Sequence, residues 1–185
     1  MATVEEPLLG PARLCEAARI ADMSRRWIEH RLTWRYRPNS IAGQIRDPET
    51  LVLAARAAGR VVGFAVMQFH FEQARAHWVL LAVEPGYRRR GVGVALYRWL
   101  EKLARPGGIR RIQLELRADN EQARAFYERL GFRATALRPG YYDGREDAIS
   151  MLQILSRPSR RRRILRHDRV SRDGWLFKGP LQGQA

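Results

Sequence analysis

The sequence predicts an α/β protein in which helices pack on a mixed β-sheet. Apolar and polar residues alternate over residues 112–116, which is the period of a strand with one buried face. Over residues 95–103 the apolar positions instead recur at the spacing of a helix. Strand-like and helix-like segments follow one another along the chain, and this order is typical of a mixed sheet covered by helices.

The first half of the chain is expected to hold one helix and three strands. A helical pattern covers residues 19–32, and residues 51–57 and 61–71 form a hairpin that turns at residues 58–60. Residues 78–83 are wholly apolar, so we expect a short strand there that is buried on both faces.

The second half is expected to hold two helices and three strands. The helix over residues 95–103 ends at the proline and glycines of residues 106–108. Asp119 or Asn120 caps the next helix, and Gly131 stands where a glycine commonly ends one. The closing strands are residues 132–137 and 148–155.

The composition predicts a globular protein with an anionic partner. The 185 residues are 45% hydrophobic, which is enough for a core and fits one domain with an appendage. The net charge of +15 favours nucleic acid, a ribosome, a membrane surface or a phosphorylated cofactor as the partner. Because all but two of the 34 basic residues are arginine, codon bias is an alternative explanation of the charge.

The cysteine content and the start of the chain predict a location. No stretch approaches the roughly 18 apolar residues of a membrane-spanning helix, and Glu5 and Glu6 stand where a signal peptide would be basic. Cys15 is the one cysteine, so it forms neither an intramolecular disulfide nor a cysteine-rich metal site. We therefore expect a cytoplasmic protein with no metal and no membrane contact.

A basic tail is expected to follow the domain. Nine basic and two acidic residues give residues 156–185 a charge of +7, which leaves +8 for residues 1–155. An apolar run gives way at that boundary to a proline and a block of arginines. We predict one domain over residues 1–155 and an arginine-rich tail over residues 156–185 that contacts a ribosome or RNA.

The most informative segment is the basic, glycine-containing loop of residues 88–95. It joins the apolar strand to a helix, so its backbone amides lack partners, and glycine lets a phosphate approach them. The helix dipole and the consecutive Arg88, Arg89 and Arg90 add attraction for a pyrophosphate. The alternative interpretation is an ordinary loop between a strand and a helix.

Four ordered motifs together resemble those of the GCN5-related N-acetyltransferases (GNAT). Residues 81–96, 115–120, 125–132 and 141–148 read LAVEPGYRRRGVGVAL, ELRADN, AFYERLGF and YYDGREDA. More narrowly, they are similar to the RimI-type bacterial enzymes, which acetylate the N-terminal alanine of a ribosomal protein. The resemblance covers roughly residues 61–155.

The resemblance implies a GNAT fold, in which a twisted mixed sheet has helices on both faces and two central parallel strands that splay apart. Acetyl-CoA would lie in that wedge, with its pantetheine arm along residues 81–83, its thioester carbonyl at the Val83 N–H and its pyrophosphate in the loop. The expected cofactor-binding residues are Leu81, Ala82, Val83, Arg88, Arg89, Arg90, Gly91, Val92, Gly93, Val94, Ala95 and Asn120.

Acetyl transfer needs a base for the amine and an acid for the departing thiolate. The resemblance assigns these roles to Glu115 and Tyr127. It also implies that Tyr141 and Tyr142 are substrate-binding residues that border the acceptor channel. From its strand pattern alone, Glu115 either reaches solvent or lines a cleft. Tyr127 lies on the apolar face of its helix, where the alternative is a core tyrosine with a satisfied hydroxyl.

Five other polar residues are weaker candidates. His70, Glu72 and His77 lie on or near the strand before the cofactor strand, and we interpret them as strand-edge or loop residues rather than bases. Glu146 and Asp147 stand beside the two tyrosines and are candidates for contact with a peptide amine.

The predicted activity is direct attack by a primary amine on acetyl-CoA in a ternary complex. A protein N-terminal α-amine is favoured because its pKa of ~7.7 to 8.0 asks less of a lone carboxylate than the ~10.4 of lysine. The alternatives are a small-molecule amine or lysine acceptor, and a non-catalytic module of the same fold that binds nucleic acid or ribosomes. Monomer and homodimer both stay open.

Overall fold

The computed structural model describes residues 6–155, and the predicted tail lies outside the described residues. The described part of the chain forms one sheet of seven strands. Their bounds are β1 Leu8–Pro11, β2 Thr50–Ala57, β3 Arg60–His70, β4 Arg75–Val83, β5 Arg111–Arg117, β6 Arg133–Tyr142 and β7 Glu146–Ile154. The strand order is β1-β2-β3-β4-β5-β7-β6, and only the central pair β4–β5 is parallel.

Within residues 6–155, four α-helices cover the sheet on both faces. Helices α1 (Ala17–Trp27) and α2 (Pro38–Arg46) bury apolar residues against one face, and α3 (Val92–Ala104) and α4 (Glu121–Arg129) pack on the other. Each face therefore has its own hydrophobic core, with the sheet between them. The predicted α/β class with a mixed sheet is confirmed. No helix within residues 6–155 is long and apolar enough to cross a membrane.

The first helix is shorter than predicted. It ends at Trp27, whereas the apolar pattern continued to residue 32. The buried Glu29 explains the end, because its carboxylate accepts the backbone N–H groups of Arg35 and Tyr36 and folds the chain back on itself. This return forms a loop over residues 30–37, which we call the α1–α2 loop.

The two central strands pair only where they begin. Their parallel register runs from Arg75 opposite Arg111 to His77 opposite Gln113, after which β4 and β5 continue for several residues without pairing. The prediction that residues 78–83 are buried on both faces is wrong for Val79, Leu81 and Val83, which are half-buried. These side chains stay partly open because β5 no longer lies beside β4 at that level. The gap between the two strands is the position of the candidate site.

Candidate active site at the gap between β4 and β5

The β4 edge that faces the gap carries backbone groups that do not pair with β5. The Glu84 N–H donates to the Val62 carbonyl at 2.7 Å, so these two residues form a hydrogen-bonded pair across β3 and β4. In an antiparallel ladder such pairs alternate with pairs whose backbone groups point away. Val83, opposite Gly63, therefore directs its N–H and carbonyl towards the gap, and Leu81 does the same two residues earlier.

The loop after β4 presents the start of α3 to the same gap. Arg89 and Gly91 have positive φ angles of 58° and 82°, and Gly91 is the N-cap residue of α3. The first hydrogen bond of the helix runs from the Ala95 N–H to the Gly91 carbonyl at 2.9 Å, so the earlier amides have no partner within the helix. Such an end, with its positive dipole, favours an anion.

The three loop arginines differ in what they contact. The Arg88 Nε donates to the Val83 carbonyl at 2.8 Å, and its guanidinium lies 5.7 Å from the centre of the Trp27 ring. Arg89 and Arg90 are exposed. Arg88 thus ties the loop to the gap edge of β4, while its two neighbours leave their charge available to a ligand.

Helix α4 lies close to the start of α3. A Cβ placed on Gly93 would stand 3.3 Å from the Phe126 ring, so this glycine allows the two helices to approach. The Asn120 side chain caps α4, because its Oδ1 accepts the Ala123 N–H at 3.0 Å. The predicted cofactor residues on β4 and α3 therefore come together at the gap, and Asn120 also has a structural role at the start of α4.

Glu115 is held from two strands. Its Oε2 lies 2.7 Å from His77 Nε2 on β4, and its Oε1 accepts the Ser150 hydroxyl of β7 at 3.3 Å. Its side chain is 10% exposed. The hydrogen bond from His77 keeps the pKa of this carboxyl below its ordinary value, although burial acts in the opposite direction. Glu115 is therefore mostly shielded from solvent between His77 and Ser150, and the alternative that it lines a cleft stays a prediction.

Tyr127 has a half-buried ring and a hydroxyl without a hydrogen bond in residues 6–155. Its ring contacts Trp78 at 5.2 Å and Phe132 at 5.7 Å, both edge-on, and no hydrogen-bond partner for its hydroxyl lies within the described chain. Burial raises the pKa of Tyr127 above its ordinary value, with a smaller contribution from Tyr142. The alternative of a core tyrosine with a satisfied hydroxyl therefore does not hold.

Glu115 and Tyr127 approach the gap from opposite faces of the sheet. Glu115 alternates along β5 with Leu114 and Leu116, which pack in the core under α3 and α4. Tyr127 belongs to that same core through its contact with Trp78. Past His77 and Gln113 no backbone pairing joins β4 to β5, so within residues 6–155 the two strands separate between the side of the sheet that carries Glu115 and the side that carries Tyr127.

The tip of the β6–β7 hairpin is tied to the α1–α2 loop on the Glu115 side. Asp143 accepts the Thr33 N–H at 2.6 Å and the Arg35 guanidinium at 2.9 Å. Arg117, at the end of β5, donates to the His30 carbonyl at 3.1 Å and forms an ion pair with Glu146 at 2.7 Å. Arg117 and Asp143 were not predicted as site residues, because a lone charged residue at a strand end or in a turn carries no sign of its distant partner.

The weaker candidate residues lie at different places in the fold. His77 lies on β4 itself, which begins at Arg75, and pairs there with Gln68 of β3, the preceding strand. His70 and Glu72 lie at the turn between β3 and β4, at the opposite end of β4 from Val83. Asp147 accepts the Gly140 N–H at 2.8 Å within the hairpin.

Tyr141 and Tyr142 meet edge-to-face at 5.0 Å near the same end of the sheet. Burial raises the pKa of both hydroxyls, and the charge of Glu115 contributes to each rise. Their proximity to Glu115 agrees with a position beside an acceptor, and this role stays a prediction. No group of three histidine, cysteine or acidic residues suited to a metal occurs in residues 6–155.

Residues 17–132 match the Acetyltransferase (GNAT) family. The chain belongs to this family. The match includes the gap, the loop and α4, and the resemblance inferred from the four motifs is confirmed.

Named relatives agree with that assignment. The chain is 41% identical over 101 residues to the [Ribosomal protein bS18]-alanine N-acetyltransferase of Escherichia coli (strain K12), covering 53% of this chain and 67% of that protein. It is 30% identical over 166 residues to the N-alpha-acetyltransferase RimI of Mycobacterium tuberculosis (strain ATCC 25618 / H37Rv), covering 85% and 99%. The crystal structure of the ribosomal-protein-S18-alanine N-acetyltransferase from Escherichia coli superposes with a TM-score of 0.70 at 28% identity, covering 84% of this chain and 97% of that one.

The protein is therefore an acetyl-CoA-dependent N-acetyltransferase, as predicted. Its geometry fits the cofactor: an open β4 edge for an extended arm, and a glycine-capped helix start with exposed arginines for phosphates. The alternative of a non-catalytic binding module is not supported by this membership.

Proposed function

We propose that this enzyme acetylates the α-amino group of a protein N terminus, with Glu115 as the base and Tyr127 as the acid. The observation that carries the proposal is the separation of β4 and β5, with Glu115 on one face of the sheet and Tyr127 packed on the other. An amine and an acetyl donor that enter from opposite faces would meet in the gap between these strands.

Glu115 suits a base that acts on an amine which is already partly neutral. Its lowered pKa keeps the carboxylate ionised at neutral pH, ready to accept a proton directly or through water. The same lowering makes it a weak base. An α-amine with a pKa of ~7.7 to 8.0 places a small demand on such a base, and a lysine amine at ~10.4 places a large one.

Tyr127 suits the role of the acid because its hydroxyl is protonated and donates no hydrogen bond to another group in residues 6–155. The raised pKa keeps its proton in place at neutral pH. Since its hydroxyl donates to no group in residues 6–155, it is available to donate to the sulfur of the departing thiolate in the gap. Its ring is fixed by Trp78 and Phe132, so the direction of donation is set before substrate binds.

We assign the cofactor contacts to the groups at the gap. Acetyl-CoA supplies the activated acetyl group when bound. The Val83 N–H is directed towards the gap and suits the thioester carbonyl, and Leu81 suits the pantetheine arm. The loop of residues 88–95 suits the pyrophosphate, and the Asn120 amide group is available for a further contact.

The acceptor assignment also draws on the relatives. One is named for the N-terminal alanine of ribosomal protein bS18, and another is named an N-alpha-acetyltransferase. Tyr141 and Tyr142 would border the acceptor beside the α1–α2 loop. We place the activity in the cytoplasm, since a single cysteine suits a reducing compartment.

An acceptor screen tests this proposal. Release of CoA would be measured with three acceptors. The first is a peptide with a free N-terminal alanine, the second is a version of that peptide whose N terminus is blocked and which carries an internal lysine, and the third is a polyamine. We expect kcat/KM for the free N terminus to exceed that for the blocked peptide by at least a hundredfold, in line with their ~2.4-unit difference in amine pKa. Equal or greater turnover of the lysine peptide or the polyamine would contradict the proposed acceptor while leaving the enzyme class intact.

A further inference from the structure

The carboxylate of Glu115 has one partner for each oxygen, and the two partners come from different strands. His77 on β4 holds Oε2 at 2.7 Å, and Ser150 on β7 donates to Oε1 at 3.3 Å. Ser150 is itself fixed, because its hydroxyl accepts the Arg138 Nε at 2.6 Å. Neither the motifs of the sequence nor the role proposed for Glu115 requires a histidine at position 77.

We propose that His77 is a positioning residue for the reaction, which fixes the direction and the charge of the Glu115 carboxylate where the two parallel strands separate. The inference rests on the proposed role of Glu115 as the base. It deepens that role, because it names the group that makes the carboxylate competent.

The position of His77 in the sheet explains why its side chain can contact Glu115 on the neighbouring strand. His77 opposite Gln113 is the last pair between β4 and β5, and Glu115 lies two residues further along β5. Both side chains lie on the same face, since their neighbours Trp78, Leu114 and Leu116 belong to the core on the other face. The imidazole therefore joins β4 to β5 just past their last backbone pair, where no backbone hydrogen bond connects the two strands.

Rigidity follows from this arrangement. A glutamate side chain has three rotatable bonds, and fixing it has an entropic cost that each contact must exceed. With both oxygens held, Glu115 keeps one orientation before an acceptor arrives. Without His77 only the longer contact to Ser150 would remain, so the carboxylate could turn away from the gap.

The charge of Glu115 depends on every group around it. The hydrogen bond from His77 and its charge lower the pKa, Ser150 on β7 and Arg138 on β6 act in the same direction, and burial opposes them. Tyr141 and Tyr142 on β6 are protonated neighbours, because burial and the Glu115 charge raise their pKa values. Removing His77 takes away the largest favourable contribution, so the pKa of Glu115 must rise.

The experiment compares the full-length enzyme with four variants. His77→Ala removes the contact, and His77→Gln keeps a nitrogen donor at nearly the same distance. His70→Ala is the matched control, because it removes a half-buried histidine from the neighbouring strand at the turn end, away from the gap. Glu115→Gln tests the base itself and identifies the Glu115 signal in a carbon-13 spectrum of the side-chain carboxyl groups.

The values of kcat for the alanine-initiated peptide and Kd for acetyl-CoA are measured for every variant. The midpoint of the Glu115 carboxyl titration is measured for the wild type and the three histidine variants. For His77→Ala we expect kcat to fall by roughly tenfold to a hundredfold, as expected when a reacting group is misdirected. Its acetyl-CoA Kd should stay within about twofold, and its titration midpoint should rise. His77→Gln should recover most of kcat, and His70→Ala should match the wild type in all three quantities.

Two results would overturn the inference. One is an unmoved Glu115 midpoint in His77→Ala, and the other is a His77→Gln enzyme as slow as His77→Ala. A Glu115→Gln enzyme with wild-type kcat would instead remove Glu115 as the base and so contradict the proposed mechanism. The carboxyl titration would still report whether His77 controls the charge of Glu115, so the two failures can be told apart.

Discussion

At the scale of single residues, the site depends on two groups with opposite states of protonation. Glu115 loses its proton more readily than an ordinary glutamate, and Tyr127 keeps its proton more firmly than an ordinary tyrosine. The causes differ, since a hydrogen bond to the charged form dominates in the first and burial dominates in the second. A base and an acid with pKa values displaced in this way can coexist at neutral pH.

Tyr127→Phe tests the acid. The substitution removes only the hydroxyl, so we expect kcat to fall by roughly a hundredfold or more while acetyl-CoA Kd changes little. Tyr97→Phe is the matched control, because Tyr97 stacks on the same Trp78 ring at 5.3 Å and donates its hydroxyl to Gln153 in the core. For this control, steady-state kinetics should show that kcat is retained, and thermal unfolding should show that stability is lowered. Equal kcat for the two variants would rule out Tyr127 as the acid.

The sequence predicted residue types at the site better than it predicted their partners. Glu115 and Tyr127 lie in short motifs, and the strand pattern of β5 already turned Glu115 away from the core on the α3 side. The partners are far away in sequence: His77 is 38 positions from Glu115, and Thr33 is 110 positions from Asp143. A local pattern carries no sign of such contacts, because they exist only after the sheet has formed.

At the scale of elements, a buried ion pair joins the start of α1 to the sheet. The Arg56 side chain on β2 donates from both Nε and Nη2 to the Glu16 carboxylate at 2.6 Å, and Arg13 adds a backbone bond to it at 2.7 Å. Burial of Glu16 opposes ionisation, but these hydrogen bonds outweigh it and lower the pKa of Glu16 to about 2. The pair fixes the corner between β1, α1 and β2.

Glu16→Gln should therefore reduce stability in a pH-dependent way. The folded-state pKa of about 2 lies below the ordinary 4.5, so the contribution is present above pH 4.5 and is lost as the pH falls towards 2. We expect urea unfolding to give a loss of about 3 kcal/mol at pH 7 and less than about half of that at pH 3. Glu128→Gln breaks an exposed pair with Arg124 and should change stability by under about 1 kcal/mol. A loss for Glu16→Gln that is the same at both pH values would contradict this assignment.

The contact between the hairpin and the α1–α2 loop should affect the acceptor and not the cofactor. Asparagine tolerates the positive φ of 54° at Asp143, so Asp143→Asn weakens the bonds to Thr33 and Arg35 without straining the turn. We expect KM for the peptide to rise roughly twofold to fivefold, with acetyl-CoA Kd unchanged. Asp22→Asn, which breaks an exposed pair with Arg26 on α1, is the control and should leave both constants unchanged. A changed acetyl-CoA Kd in Asp143→Asn would show that this contact does not act through the acceptor side.

Two elements were not predicted, and both have weak patterns. Helix α2 buries only Ile41 completely, so its nine residues show no long apolar stripe. Strand β1 has four residues, none of them fully buried. Both gain their order from packing against α1 and β2, and this information is absent from a short window of sequence.

At the scale of the whole molecule, catalysis and binding of large anions are assigned to different parts of the chain. All the residues proposed for the site lie within the described residues 6–155, and the basic tail proposed for residues 156–185 lies outside them. Deletion of residues 157–185 should leave kcat/KM for the peptide within about twofold and should weaken ribosome association at low salt, where phosphate contacts are strongest. Cosedimentation with ribosomes at two salt concentrations checks this expectation. Unchanged association of the truncated enzyme would remove the proposed role of the tail.

The fold itself was predictable because its signals are local and strong. Apolar strands, a glycine-containing loop and two amphipathic helices appear in order along the chain. The extent of the gap was not predictable from composition or periodicity, since it depends on where β4 and β5 stop pairing.

Calorimetric titration with acetyl-CoA tests the central claim, which is that the gap and the start of α3 hold the cofactor. Gly91→Glu introduces a side chain at φ 82° and a negative charge beside the phosphates, and Gly108→Glu makes the same change at φ 80° between α3 and β5. We predict that the wild type and Gly108→Glu bind with similar affinity and that Gly91→Glu gives no measurable heat. Wild-type affinity in Gly91→Glu would contradict the account.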